Sequence, residues 1–398
     1  MMKKILLLGG SAQQIIAIDA AKKLGYYTVL CDYLTDNPGQ YHADRFYLVS
    51  TIDKEAVLKV AEDEKIDGVL AYASDPAAPT AAFVAEKLGL PTNPFDSVTM
   101  LCDKQRFRAF LHENGFHTPV SRGYREPSDA LADTALFQLP VIVKPTDASG
   151  SKGVTVLHDW DGFAEAIAFA AEFSRSKSIL VEEYIEKGYP YVIGGDVFAA
   201  DGEVKIWGLM DCHRDPNVNP LVPVGKSYPA GLPEETLGEI RSVISSILRK
   251  LDIRSGAVNV ELIVDKQGRV FPIDFGPRCG GNMIPVLMNR MFGVDIAALS
   301  VQAAMGEQLT IRTEQPEGCY ATCNLHSDRE GVFGGLQISD QIKPYITDTF
   351  FYAKEGDAVH YFDNASKALG IVFMHFPDKE TMDAFLEEIN AHIQVIVR

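Results

Sequence analysis

Short apolar runs alternate with helical patterns over the first 95 residues of the chain. Residues 4–8, with an apolar run at 5–8, predict a buried strand, and residues 13–24 carry apolar side chains at the spacing of a helix. The alternation continues to a helix that ends at Gly89. Strands that alternate with helices form a parallel sheet with helices on its faces. The pattern therefore predicts an N-terminal α/β unit over residues 1–98.

The remainder of the chain mixes strands and helices without an internal repeat. One helical pattern covers residues 100–113, and another covers residues 379–392 near the end. Strand patterns at 257–264 and 269–275 flank a turn. Residues 211–231 are polar and contain several prolines, which predicts a long functional loop. We expect a multidomain protein of mixed α/β and α+β class.

The chain is strongly acidic, with 54 acidic against 37 basic side chains and a net charge of −17 over 398 residues. It lacks the cation surplus that neutralises phosphates, so nucleic acids and anionic membranes are excluded as expected partners. No stretch approaches about 18 uninterrupted apolar residues, so no transmembrane helix is predicted. The six scattered cysteines indicate reduced thiols and a cytoplasmic location.

Gly9, Gly10 and Ser11 stand between the first predicted strand and the first predicted helix. A carboxylate or a phosphate would suit such a helix N-terminus. The segment lacks the GxGxxG spacing of a dinucleotide site. A tight turn of an α/β unit also explains these residues.

A lysine stands near the end of the apolar strand at residues 141–145, and a loop of small residues follows. Burial of Lys144 is unfavourable unless an anion meets its ammonium group. The loop can turn backbone N–H groups toward the same anion. The candidate phosphate-binding residues are Lys144, Ser149, Gly150, Ser151, Lys152 and Gly153. A surface loop beside a lysine with a solvated head group is the alternative interpretation.

Two acids, Glu182 and Glu183, follow an apolar strand and precede Tyr184 and Ile185. This arrangement is typical of a solvated strand end. It also suits a hinge whose backbone and one carboxylate contact an adenine. The residues alone leave both interpretations open.

A pair of acids on adjacent predicted strands gives the strongest signal for chemistry. If the turn pairs Val264 with Arg269, Glu261 lies opposite Pro272 and diagonal to Asp274. Both acids then point to one face, where their carboxylates repel unless a cation lies between them. Mg²⁺ suits such a pair and leaves room for nucleotide phosphates. An exposed hairpin is the alternative, although the neighbouring residues are strongly apolar.

Arg278 follows four residues after Asp274 and precedes Gly280, Gly281 and Asn282. A guanidinium group can stabilise charge on a transferring phosphoryl group. Arg278 is therefore a candidate catalytic residue.

The order of these motifs resembles the ATP-grasp superfamily, of the carboxylate–amine ligase type related to carbamoyl phosphate synthase and biotin carboxylase. The resemblance implies a parallel α/β pre-ATP-grasp domain over 1–98, an ATP-grasp domain over 99–305 and a smaller α+β domain over 306–398. It divides the ATP-grasp domain into a small lobe at about 115–180 and a large lobe at about 181–305.

The resemblance also implies roles for particular residues. Lys144 and Arg278 are implied as catalytic, and Glu182 is implied at the exocyclic amine of adenine. The implied residues around the nucleotide are Lys104, Lys144, Ser149, Gly150, Ser151, Lys152, Gly153, Glu182, Glu183, Tyr184 and Ile185. The implied metal ligands are Glu261, Asp274 and Asn282.

Two positions depart from the family pattern. The family often has asparagine where this chain has Gly276, which cannot ligate a metal. Asn282, Asn259 or a water could substitute, or a second Mg²⁺ is held less tightly. The family also places an acid after the hinge, where it contacts the ribose hydroxyls. In this chain Glu186 and Asp196 are the candidates for that acid.

The resemblance implies an ATP-dependent ligase with Mg²⁺, or alternatively Mn²⁺. A carboxylate is phosphorylated to an acyl phosphate, an amine attacks it, and ADP and phosphate are released. The expected partners are a small-molecule carboxylate, an amine and a second copy of the chain in a homodimer. A bicarbonate-dependent carboxylase and a non-catalytic ATP-binding module are the alternatives.

The predicted loop at residues 211–231 is the candidate lid and acceptor site. It contains His213, Arg214, Lys226 and Tyr228. His213 is either a general base or a solvated loop residue. Closure of a lid would protect an acyl phosphate from water.

Overall fold

The computed structural model describes residues 2–398. Its first part comprises β1 (Lys4–Leu8), α1 (Ile15–Lys23), β2 (Tyr27–Asp32), β3 (Arg45–Leu48), α2 (Lys54–Glu64), β4 (Gly68–Leu70) and α3 (Ala78–Leu88). The four strands are parallel, in the order β3-β2-β1-β4. Strand β1 packs Ile5 and Leu7 into one core and Leu6 and Leu8 into another, as parallel strands covered on both faces do. The predicted parallel α/β unit is confirmed.

The predicted single helix over residues 100–113 is wrong. The structure has two helices here, α4 (Phe95–Leu101) and α5 (Lys104–Glu113). Asp103 between them is extended, and its carboxylate accepts the backbone N–H of Arg106, so it caps a new helix. This cap makes Lys104 the first residue of α5.

A four-stranded antiparallel sheet follows. Its elements are β5 (Ser121–Tyr124), β6 (Val141–Pro145), β7 (Thr155–Leu157), α6 (Phe163–Phe173) and β8 (Ile179–Glu183), with the strands in the order β5-β8-β6-β7. Helix α6 covers one face through Phe163, Ala166 and Ile167. Strand β6 brings Lys144 beside β8, which carries Glu182.

The rest of the chain builds a larger sheet and its covering helices. Its elements are β9 (Val192–Ala200), β10 (Glu203–Trp207), β11 (Met210–Arg214), β12 (Pro223–Tyr228), α7 (Glu234–Lys250), β13 (Gly256–Val264), β14 (Val270–Gly276), α8 (Ile284–Phe292), α9 (Ile296–Ala304), β15 (Cys319–Leu325), β16 (Gly331–Ile338), β17 (Ile346–Phe351), β18 (Ala358–Val359), β19 (Gly370–Phe376), α10 (Lys379–Glu387), α11 (Ile389–His392) and β20 (Ile393–Val397). The nine-stranded sheet has the order β14-β13-β9-β11-β12-β15-β19-β17, with β10 paired to β9, and a small sheet has the order β18-β16-β20. The mixed α/β and α+β multidomain class is confirmed.

The two faces of the nine-stranded sheet have different cover. Helix α7 packs Ile240, Ile244 and Ile247 on one face. Helices α8 and α9 pack on the opposite face together with α1 of the parallel unit. That second face therefore joins the large sheet to the N-terminal unit.

The predicted long loop at residues 211–231 is also wrong. Most of it forms β11 and β12, which pair with each other inside the nine-stranded sheet, and only residues 215–222 lie between them. Pro223 begins β12, Pro229 follows it, and Pro216 and Pro220 lie in the connection, so no proline stands inside a strand, where a ladder hydrogen bond would be lost. The predicted helix at residues 379–392 is likewise broken after Glu387.

Within residues 2–398, no single helix combines the length and the hydropathy of a membrane span. The bent pair of α8 and α9 reaches that composition only when both are counted, across a bend of 109°.

Candidate active site

The two predicted metal-binding acids face each other on adjacent strands. Glu261 of β13 pairs directly with Asp274 of β14. The expected register, in which Val264 pairs with Arg269 and Glu261 with Pro272, is wrong. Val264 pairs with residue 270, and a shift between Glu261 and the next residue leaves position 273 without a partner. The carboxylates are thus direct neighbours rather than diagonal ones.

Lys104 neutralises only one of these acids. Its ammonium lies 3.1 Å from Asp274 Oδ2 and donates to the carbonyl oxygen of Ala148 at 3.0 Å. Burial disfavours charge on Asp274, but the Lys104 ammonium outweighs this and lowers the pKa of the Asp274 carboxyl. Glu261 has no ion-pair partner among the residues described.

This donor set fits Mg²⁺. Residues 2–398 contain no group of three His, Cys, Asp or Glu side chains placed to hold a metal by themselves. Mg²⁺ is typically bound by one or two carboxylates, with waters and substrate phosphates completing its shell. Glu261 and Asp274 together offer two carboxylates against one lysine, which leaves the negative excess that a divalent cation would neutralise.

Lys144 and Glu182 form a second charged cluster with a residue that the sequence analysis missed. Lys144 hydrogen-bonds Glu182 across β6 and β8, and Arg108 Nε donates to Glu182 Oε2 at 2.9 Å. All three side chains are at least nine-tenths buried. Burial opposes charge on Glu182, but the Arg108 guanidinium and then the Lys144 ammonium lower its pKa to about 2. Burial lowers the pKa of Lys144 to about 8.

Helix α5 connects the two clusters. Lys104 at its first residue contacts Asp274 on the large sheet, and Arg108 one turn later contacts Glu182 on the small sheet. The two positions are about 6 Å apart along a helix axis and share one helix face. Because Arg108 follows Lys104 by four residues, the sequence contained a signal that both side chains lie on the same face of the helix. The predicted residues on both sheets lie around one site.

The predicted phosphate loop connects β6 to β7. Gly150, Ser151 and Gly153 have positive φ values of 70°, 59° and 70°. At Gly153 a Cβ would also lie 2.9 Å from Phe173 Cβ, so both backbone and space require glycine there. Ser151 Oγ donates to the carbonyl oxygen of Leu221 at 2.9 Å, which ties the loop to the segment between β11 and β12. Phosphate contacts of residues 149–153 stay a prediction.

The predicted hinge residues are partly used by the protein itself. Glu183 Oε1 accepts the backbone N–H of Gln138 at 2.7 Å, and Tyr184 N–H donates to the carbonyl oxygen of Pro140 at 2.8 Å. Ile185 N–H has no backbone acceptor within the described part of the chain. Adenine contacts by residues 182–185 stay a prediction.

Arg278 contacts the N-terminal unit. Its Nη2 donates to Asp75 Oδ2, and its Nη1 donates to the carbonyl oxygen of Cys279 at 3.0 Å. The buried Nε of Arg278 has no acceptor in residues 2–398. Asp75 was not found by the sequence analysis, because it lies 203 residues away in the chain.

The loop after Arg278 is held by hydrogen bonds to the side chain of Asp196. Both oxygens of this fully buried carboxylate accept the N–H of Gly280, and Asn259 Nδ2 donates to Oδ1 at 2.8 Å. The guess that Asp196 contacts a ribose is therefore wrong. Asn282 donates its backbone N–H to Gln13 Oε1 at 2.7 Å, and metal ligation by its side chain stays a prediction.

The N-terminal Gly9–Gly10–Ser11 segment is a tight turn. Gly9 N–H donates to the carbonyl oxygen of Cys31, Gly10 N–H to Asp32 Oδ2 and Ser11 N–H to Gln14 Oε1. Because these three N–H groups have protein acceptors, the segment offers none of them to an anion. The interpretation as an anion site is not supported.

Lys226 of β12 is buried on the same sheet face as the two acids. Its Nζ lies 2.8 Å from Cys212 Sγ on β11. Gly194 of β9 pairs with Glu261, and a Cβ there would lie 2.9 Å from Cys212 Sγ and 3.4 Å from Glu261 Cγ, so these two side chains already fill the space above its backbone. Lys226 has no carboxylate partner among the ion pairs of the described residues, unlike Lys104 and Lys144.

His213 points away from this face. Its Nε2 lies 2.8 Å from Ser227 Oγ, and the alternation along β11 places it on the face opposite to Cys212. Burial lowers the pKa of His213 to about 4. The hypothesis of a general base at His213 is therefore not supported, and the side chain is not a solvated loop residue either.

The chain is similar in sequence to known proteins. Residues 137–286 match the family model described as the ATP-grasp domain. The uncharacterized protein y4rH of Sinorhizobium fredii is 24% identical over 387 residues, which cover 93% of this chain and 78% of that protein. The carbamoyl phosphate synthase large chain of Ralstonia nicotianae is 23% identical over 350 residues, 83% of this chain but only 32% of that protein. The chain thus spans about a third of that relative.

Solved structures show the same architecture along the whole chain. An L-amino acid ligase from Bacillus licheniformis superposes with a TM-score of 0.82 at 21% identity and covers 100% of this chain and 99% of that one. A phosphoribosylglycinamide synthetase from Anaerococcus prevotii superposes with a TM-score of 0.77 at 19% identity, with full coverage of both chains. At these identities the likeness establishes the fold.

Proposed function

We propose that this chain, which carries an ATP-grasp domain over residues 137–286, is an ATP-dependent ligase that joins a small-molecule carboxylate to an amine. The observation that carries the proposal is the pair of charged clusters connected by α5. Lys104 and Lys144 provide ammonium groups for phosphates, while Glu261 and Asp274 form a carboxylate pair beside them. Phosphoryl transfer needs this combination of positioning and charge neutralisation.

The site residues divide the work of holding the nucleotide. Lys104 and Lys144 would contact phosphate oxygens, and the loop at residues 149–153 would cover the terminal phosphates. Glu261 and Asp274 would hold Mg²⁺, which neutralises charge on the β- and γ-phosphates. Arg108 keeps Glu182 ionised and in place, so Lys144 stays directed into the site.

The chemistry needs two group transfers. A carboxylate oxygen of the substrate attacks the γ-phosphorus of ATP, and ADP leaves with the electrons of the broken bond. The amine nitrogen then attacks the acyl carbon, inorganic phosphate leaves, and the nitrogen loses a proton. The unpaired Nε–H of Arg278 is a donor suited to the oxygens of the transferred phosphoryl group.

Lys226 marks the side from which the carboxylate substrate would approach. Its ammonium is buried beside Cys212 and lacks an acidic partner, so an anionic substrate group would stabilise it. Cys212 and Glu261 both lie close above the backbone of Gly194, so the Lys226 ammonium and Glu261 belong to the same part of this sheet face. Because most of residues 211–231 form the paired strands β11 and β12, they would provide a rigid surface beside the substrate rather than a mobile lid.

An ADP-release screen tests the proposal. Small carboxylates are crossed with amines, with and without bicarbonate, and ADP is measured by a coupled assay. We expect ADP release that depends on both a carboxylate and an amine and that is lost in Lys144→Ala and Asp274→Ala. Lys59→Ala and Asp63→Ala, which change exposed side chains of α2, serve as matched controls.

Other outcomes of the screen would contradict the ligase. ADP release that requires bicarbonate without an amine would indicate a carboxylase. Binding of ATP without ADP release over the whole panel would indicate a non-catalytic module. Full turnover by both site variants would refute the assignment of the site.

A further inference from the structure

Steric contacts restrict position 276 to glycine. It lies two residues after Asp274 on β14, so a side chain at position 276 would point to the same face as Asp274. Its φ is not positive, so the backbone conformation does not require glycine. A Cβ at this position would instead collide with Asp75 Oδ1 and lie 3.0 Å from Arg278 Cζ. The carboxylate of Asp75 occupies the volume that a side chain at position 276 would fill.

Asp75 reaches this volume from the other domain. It lies between β4 and α3 in the parallel unit, and its side chain is four-fifths buried. Oδ2 holds Arg278, whereas Oδ1 has no hydrogen-bond partner among the residues described. The free oxygen is therefore on the Gly276 side, which is also the face that carries Asp274.

We propose that Asp75 replaces the side chain that residue 276 lacks, holding Arg278 through Oδ2 and offering Oδ1 to the hydrated magnesium–nucleotide complex beside Asp274. The inference rests on the proposed function, because it needs nucleotide and metal at Glu261 and Asp274. It explains how the chain works with glycine at this position. A residue of the N-terminal domain completes the site of the ATP-grasp domain.

The test uses Mn²⁺ as a paramagnetic probe, titrated into the full-length protein with saturating ADP and followed by electron paramagnetic resonance. We expect Asp75→Ala to weaken Mn²⁺ binding by roughly tenfold, as the loss of a supporting carboxylate does at other metal sites. Gly276→Asn should weaken it similarly, because its side chain collides with Asp75. The double variant Asp75→Ala/Gly276→Asn should recover most of the wild-type affinity, since an amide oxygen then replaces the carboxylate.

A matched double variant distinguishes the need for an oxygen ligand from the need to fill the volume beside Asp274. Asp75→Ala/Gly276→Ala fills part of the volume with a methyl group and should stay as weak as Asp75→Ala. Equal Mn²⁺ affinity in wild type and Asp75→Ala would overturn the inference. So would a loss of Mn²⁺ affinity in Asp75→Ala/Gly276→Asn that equals the sum of the losses in the two single variants. If Asp75 only docks the two domains, its removal lowers the melting temperature while Mn²⁺ affinity is unchanged.

The wild-type titration keeps the two proposals distinguishable. Absence of ADP-dependent Mn²⁺ binding in the wild type would refute the proposed function itself. Normal binding in the wild type with no response to Asp75 would refute only the role of Asp75. Asp75→Asn, which keeps the shape, covers the case in which Asp75→Ala does not fold.

Discussion

The two charged clusters at the site differ in how their charge is balanced. Glu182 on the small sheet is enclosed by Arg108 and Lys144, so one carboxylate meets two cations. On the large sheet, Glu261 and Asp274 meet only Lys104. The first cluster is complete without a ligand and carries one positive charge in excess, which suits phosphate. The second carries one negative charge in excess, which suits a metal.

The comparison teaches that one helix serves two electrostatic purposes. Both Lys104 and Arg108 lie on α5, yet one supports an acid pair that still needs a cation and the other completes the buried ion pairs of Glu182. Changes in the small-sheet cluster should therefore affect folding first. Changes in the large-sheet cluster should affect ligand binding first.

The largest effect is expected from Glu182→Gln. Removing this charge leaves Arg108 and Lys144 buried beside each other without an acid, which typically costs about 3–5 kcal/mol. Urea unfolding measures the loss. Glu261→Gln is the counterpart on the large sheet, and its unfolding free energy should stay within about 1 kcal/mol of wild type. Equal losses in the two variants would contradict the difference between the clusters.

Asp274→Asn should abolish the advantage that Mg²⁺ gives to nucleotide binding. The variant keeps the shape of the side chain but removes half of the carboxylate pair, so the Kd for ADP should become nearly independent of Mg²⁺. Isothermal titration with and without Mg²⁺ measures this, and we expect a change of roughly tenfold or more. Asp63→Asn on the exposed face of α2 is the control. A retained Mg²⁺ dependence would place the metal elsewhere.

Nucleotide affinity should fall as the pH rises through about 8. The pKa of Lys144 is lowered to about 8 by burial, so its ammonium is present below that pH and is lost above it. A bound phosphate favours the charged form, and binding therefore weakens on the alkaline side. The Kd for ADP measured between pH 6.5 and about 9.5 should rise several-fold. Lys144→Met should bind weakly with little pH dependence over this range, and an unchanged slope in that variant would exclude Lys144 as the titrating group.

The smallest effect on nucleotide binding is expected from Lys226→Met. Lys226 belongs to neither cluster, so the Kd for ADP should change less than about twofold. The KM for the carboxylate substrate should rise much more, because the variant removes the buried cation proposed to meet that substrate. Steady-state kinetics on a substrate found in the screen separates the two constants. A larger effect on ADP than on the substrate would move Lys226 into the nucleotide site.

The sequence carried enough information to find the charged residues of the site that lie on strands. Lys144, Glu182, Glu261 and Asp274 all stand where an apolar strand pattern carries a charged residue, and the structure brings them to one site. Local pattern is sufficient for such residues, because strand periodicity decides which face they occupy. The same reasoning predicted the parallel N-terminal unit.

Other features depend on contacts that no local pattern encodes. Asp75 meets Arg278 only when two domains dock, and the direct pairing of Glu261 with Asp274 depends on a bulge after Glu261. Prolines and charges concealed the strand alternation of β11 and β12, so the loop prediction at residues 211–231 was wrong. Arg108 was detectable by its spacing from Lys104, but its acid lies 74 residues away in the chain.

The nine-stranded sheet continues past the predicted domain boundary at residues 305 and 306. Strand β12, which carries Lys226, is hydrogen-bonded on its outer side to β15, and β15 pairs in turn with β19. Deletion of residues 306–398 would turn β12 into an exposed edge with unpaired backbone groups. Strand β12 and the C-terminal segment therefore belong to one cooperative folding unit, and the core that Ile371 and Phe373 share with Ile5 and Leu7 extends this dependence to the parallel sheet.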